Sequence, residues 1–154
     1  MGKLMSLQAL GLATLAFLGG AMISVQAPLN AMAASRLGHP LGAATLSFVV
    51  GALCLLAVTL VVARGQVAWG GAASLPPLLY LGGVLGAIFV TITIVLTPTL
   101  GIGAVIALAI AGQVVAGLAL DHFGLFGLAV REITVGRGVG AALAFVGALM
   151  VRYL

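Results

Sequence analysis

The chain has 154 residues, 64% of them hydrophobic and 5% charged, with a mean hydropathy of +1.39. A water-soluble domain needs roughly a quarter of its residues charged to present a solvated surface, so composition excludes a soluble role and makes the bilayer the solvent. The net charge of +4 comes from basic residues scattered singly; they form no phosphate-binding patch, and nucleic acid is excluded as a partner.

A helix of about 20 apolar residues crosses a hydrocarbon layer about 30 Å thick, and five segments reach that length. The first runs from about Leu4 to Ala27 and can continue to Ala34. Lys3, the apolar run and AMA (31–33) followed by Ala34-Ser35 resemble a secretory leader with its small-residue cleavage site. The run is long for a leader, however, and four more spans follow, so it is expected to remain as a membrane span. The second span covers about Leu41 to Val62 and carries the single cysteine, Cys54. No disulfide can therefore form within the chain, and there is no CxxC metal or redox motif. The third covers about Leu78 to Leu96. Its stretch IFVTITIVLT (88–97) has strand propensity, but an isolated strand in lipid leaves its backbone unpaired, so a helix closed by Pro98 is expected. The fourth covers about Ile102 to Leu120. FGLFGLAV (123–130) is too short to cross and is expected at the interface. The fifth span covers about Val139 to Val151, or starts from Thr134. The expectation is an all-α membrane protein, residues 1–154 forming a single domain of five transmembrane helices.

Five spans put the two ends of the chain on opposite sides. Lys3, Arg64, Arg131 and Arg137 then share the N-terminal side, while Arg36 and Arg152 lie on the other. That excess favours a cytoplasmic N-terminal side and is small enough to permit both orientations.

In lipid no hydrophobic force draws helices together; close backbone approach and buried polar groups must do so. The 23 glycines suit that purpose. Gly82 and Gly86 form a GxxxG on the third span, on a face shared with Phe89, Thr93 and Thr97. Gly51 falls with Ala44, Ser47 and Cys54 on a narrow small-residue face of the second, and Gly112 adjoins Gln113 on the fourth.

The two acids, Asp121 and Glu132, both lie at or beyond a span end. No carboxylate therefore sits at mid-membrane to exchange protons for a cation. Neutral amides remain. Gln26 and Asn30 are four apart and share a helical face. Pro28 between them has no N–H for the carbonyl of Ser24, which frees an acceptor beside two amides. A kinked helix with an open carbonyl is how many carriers build a site, whereas the same amides can serve as interhelical packing bonds; both readings stand. Gln113 lies within about 5 Å of the middle of the fourth span, among small neighbours that leave room for a helix or a solute, and is expected to line a substrate path. Asp121 opposes the dipole at its helix C-terminus and should seek a cation such as Arg64, Arg131 or Arg137, while His122 is well placed there. These two are expected to form a boundary tie between the fourth and fifth spans. The pattern contains no HExxH, GxSxG, P-loop or His/Cys cluster, so no enzyme, metal or cofactor is expected.

The stretches QAPLNAMAASRLGHPLGAATLSFVVGAL (26–53), GGVLGAIFV (82–90) and AGQVVAGLALDHFGLFGL (111–128) resemble the signatures of the YdcZ-like family. These are small bacterial inner-membrane proteins of the drug/metabolite transporter superfamily. The resemblance implies half of a ten-helix carrier fold, completed by antiparallel pairing with a second copy or with an oppositely oriented sibling chain. It implies Gln26, Asn30 and Gln113 as polar positions of the family pattern, and Asp121-His122 as its boundary motif. The leading expectation is an exporter of small polar or cationic metabolites or drugs, with Gln26, Asn30, Gln113 and Thr93 along the substrate path. A narrow channel and a non-transporting membrane subunit are the alternatives.

Overall fold

The computed structural model describes residues 7–154; Lys3 and the expected start of the first span at Leu4 lie outside the described residues. The secondary structure of those residues is helical throughout: α1 (Leu7–Leu37), α2 (Pro40–Val62), α3 (Leu81–Leu100), α4 (Ile102–Phe123) and α5 (Val135–Tyr153), with short 3-10 turns in the connections. Among the described residues five helices are long and apolar enough to cross a membrane. The β-branched run of α3 is helical too, because backbone satisfaction in lipid outweighs propensity.

Local chemistry sets the helix ends. Gly38 takes a φ of 76° after α1, and His39 is extended, its Nδ1 accepting from the Leu41 N–H at 3.2 Å. Pro40 then opens α2 at a position where its missing N–H costs nothing. A glycine stop, a side-chain cap and a proline start are thus compressed into three residues. The expectation that Pro98 closes α3 is corrected: the helix continues to Leu100 and ends at Gly101, whose φ is 79°. A proline inside a helix withholds a single N–H from the carbonyl four residues back, and the left-handed glycine is what turns the chain. Pro28 likewise sits inside an α1 that runs on to Leu37.

The chain divides into two compact units, one ending at Val95 and the other spanning Leu96–Leu154. In the first, Ala43 and Ala44 of α2 pack with Ile94 of α3, flanked by Ala33, Ala34 and Val90. Phe48 of α2 lies over Gly86 of α3, where an added Cβ would come within 3.4 Å of its ring. In the second, Ala104, Val105 and Ala111 of α4 and Ala148 of α5 are buried, and Val151 reaches Gly103. Alanine predominates in both interiors, beside Ile94 and Val105, whereas other large residues such as Leu15 and Phe17 are 67% and 76% exposed. That is the inverse of a water-soluble domain and the arrangement expected where lipid meets the outer faces.

Candidate functional site

The hairpin of α1 and α2 carries a wide-open groove of about 380 Å3 along one side. Its polar atoms come from Gln26, Asn30 and Ser47, and its walls from apolar side chains including Met22, Leu29 and Leu46. The periodicity of α1 brings Gln26 and Asn30 to one face, with Ala27 buried between them. Gln26 Nε2 donates to Ser47 Oγ across the hairpin at 3.3 Å. Asn30 is 9% exposed, and its Nδ2 has no hydrogen-bond partner. Pro28, one residue from buried Ala27, has no N–H to give Ser24, while Ser24 Oγ donates back to Gly20 at 3.2 Å. Counted back from Leu37 at about 1.5 Å per residue, Asn30 and Gln26 lie roughly 10 and 17 Å along α1. That depth is comparable with the half-thickness of a bilayer core.

A second pocket, between α2 and α3, has Thr45 and Thr91 on its walls. Their hydroxyls donate to the carbonyls of Leu41 and Ala87 on their own helices, both at 2.8 Å. It therefore offers an apolar surface with its hydroxyl protons already used. The α1–α2 pocket differs in carrying an uncommitted amide.

The remaining sequence candidates fall elsewhere. Thr93 is buried on α3, its hydroxyl donating to Val90 O at 2.8 Å, and it does not line the amide pocket. Gln113 belongs to the second unit and is exposed on α4, beside exposed Gly112 and Ala116. A Cβ built at Gly51, Gly82 or Gly112 meets nothing within 4 Å, whereas one at Gly86 meets Phe48. Of these four glycines, Gly86 alone lies in a contact between helices of the chain; the others face outward because their helices present those sides to the surroundings.

At the C-terminal end of α4, Asp121 forms an ion pair with Arg137 of α5. The Arg137 guanidinium also donates to the carbonyls of Arg131 and Glu132, each at 3.2 Å, and the Arg131 N–H donates to Asp121 O at 2.9 Å. Thr134 caps α5, its Oγ1 accepting from the Arg137 N–H at 3.3 Å. This network closes the connection between the helices. His122 lies outside it, edge-on to the Phe123 ring with centroids 5.0 Å apart. The reversal itself needs Gly124, whose φ is 58° and whose absent Cβ would lie 2.7 Å from Val130 Cγ2.

A family model described as "Putative inner membrane exporter, YdcZ" matches residues 11–150. The chain belongs to this DMT_YdcZ family. No curated protein and no solved structure matches it. The family describes exporters of the inner membrane, hence transporters rather than enzymes, in keeping with five apolar helices and a multi-pass membrane protein. The part played by Ser47 goes beyond the sequence pattern, in which it reads as a small packing residue. The available signal was its depth, within about one helical turn of Gln26 on the opposite arm of the hairpin. Arg137 stood among three candidates for Asp121, and only the path of the connection singles it out.

Proposed function

We propose that the protein exports a small polar solute, working as an inverted dimer by alternating access, with the α1–α2 pocket as part of the solute path. The observation that carries this reading is the Asn30 amide, buried within the first apolar helix with its nitrogen unbonded. An amide kept only as a packing bond would be paired, because an unmade buried hydrogen bond is costly. Beside it, Pro28 withholds a backbone donor, the arrangement by which carriers expose polar backbone to a solute.

The dimer reading is supported by α4. Gln113 is an exposed amide in the middle of an apolar helix, on a face whose neighbours Gly112 and Ala116 leave space for close approach. A polar group facing hydrocarbon is unfavourable, and a second, inverted copy would cover it and bring its own pocket into the path. In the favoured orientation the N-terminal side faces the cytoplasm, and Arg137 and Asp121 hold the α4–α5 connection at that boundary.

Counterflow of labelled solutes in proteoliposomes tests the proposal. Saturable exchange should fall to background in a Gln26→Ala, Gln113→Ala double variant and persist in Cys54→Ala. Wild-type exchange by the double variant would remove the Gln26 amide from the path and Gln113 from the contact that completes it. Flux without saturation or counterflow would replace the carrier by a channel.

A further inference from the structure

We propose that the α1–α2 pocket binds an uncharged amphiphile bearing a hydroxyl or amide group, and that it discriminates against cations and anions alike. Its place in transport rests on the exporter reading above; its binding chemistry does not. The inference starts from Asn30, nine-tenths buried with Nδ2 unpartnered and lining the pocket. Gln26 and Ser47 line it as well. Because Ser47 Oγ accepts from Gln26 Nε2, the Ser47 proton is left for another acceptor, and the Gln26 carbonyl oxygen for another donor. The pocket thus presents the Ser47 proton and the Gln26 oxygen in one small space, with the Asn30 amide in its wall. Rotated half a turn, the Asn30 amide offers its oxygen in place of its nitrogen. A hydroxyl or an amide on the ligand can both donate and accept, so it meets this set in either arrangement.

Charge is disfavoured from both sides. None of the lining residues is ionisable. A cation brought to this depth would give up its water without a carboxylate or an aromatic face to receive it, and an anion would do so without a lysine or arginine. Arg36, on the same helix, does not line the pocket. The walls of Met22, Leu29 and Leu46 suit an alkyl body, and about 380 Å3 lies near the lower end of small-molecule sites, which run from about 300 to 1,000 Å3. The ligand class that fits is small, neutral and half apolar.

Three probes with one leucyl body separate the classes: N-acetyl-L-leucinamide, which is neutral, L-leucinamide, which is cationic, and N-acetyl-L-leucine, which is anionic. Each is titrated calorimetrically into the full chain in nanodiscs of neutral lipid. The neutral probe should bind saturably, about tenfold more tightly than either charged one. Its affinity should fall about tenfold in Asn30→Leu, fall measurably in the milder Ser47→Ala, and stay unchanged in Cys54→Ala. Asn30-dependent binding of a charged probe at least as tight as that of the neutral one would overturn the class while leaving the pocket as a site. Binding of the neutral probe that is absent, or untouched by both pocket variants, would overturn the site. Titration requires no translocation, so a protein that binds the neutral probe in this way but shows no counterflow fails the exporter reading alone.

Discussion

Replacing Asn30 by leucine keeps the outline of the side chain and exchanges its amide oxygen and nitrogen for two methyl groups. The position is 9% exposed, and the nitrogen makes no hydrogen bond, so the wild-type chain carries an unmade donor in an apolar setting. Such a group costs about 1–3 kcal/mol. A leucine of similar shape removes that cost without opening a cavity, and the expected gain is about 1–2 kcal/mol. For a chain of this length each kcal/mol moves Tm by about 2–4 °C, so Asn30→Leu should melt roughly 2–8 °C above wild type in mild detergent, followed by helical circular dichroism. An amide serving as interhelical glue would give the opposite sign, since such bonds contribute about 0.6–2 kcal/mol in membranes. A variant melting 2 °C or more below wild type would therefore refute the reasoning. Higher stability with weaker solute binding is the pattern of a position kept for function against stability.

The α4–α5 connection and the α2–α3 contact yield further expectations. Gly124→Ala places a side chain at φ 58° and within 2.7 Å of Val130, and should cost about 1–3 kcal/mol; an unchanged melting curve would mean the connection relaxes freely. Arg137→Leu removes the ion pair with Asp121 and two bonds to carbonyls, and should cost about 1–3 kcal/mol, with Arg137→Lys recovering only part because it lacks the planar fork. Equal stability of the lysine variant and wild type would reduce the network to simple charge attraction. Gly86→Val crowds Phe48, at an expected cost of about 1–3 kcal/mol, whereas Gly82→Val, with nothing within 4 Å, should stay within about 0.5 kcal/mol. Equal losses at both would show that the two glycines share one interface.

The approximate places of the five helices were legible because hydropathy over about 20 residues is a one-dimensional property that needs no knowledge of neighbours. Gln26 and Asn30 stood out for a related reason: an amide in hydrocarbon is costly wherever it is placed, and the helical period brings these two to one face. Small-residue spacing carried less information. Gly51, Gly82, Gly86 and Gly112 look alike in sequence, yet Gly86 lies under a side chain of another helix and the others do not. Proline misled at position 98 because it withholds one N–H from the preceding turn without barring helical backbone after it, and the left-handed Gly101 is what ends the helix.

Legible in the chain alone were its helical membrane character, the rough limits of five apolar spans free of central carboxylates, and the motifs that resemble its family. Those properties follow from composition and from backbone satisfaction in lipid, which act residue by residue. That Gln26 bonds Ser47 while Asn30 stays unbonded, and that Arg137 answers Asp121, follows from the packed helices alone. A hydrogen bond within about 3 Å requires two helices at a particular rotation and depth, and that geometry arises from packing between segments that are distant in the chain.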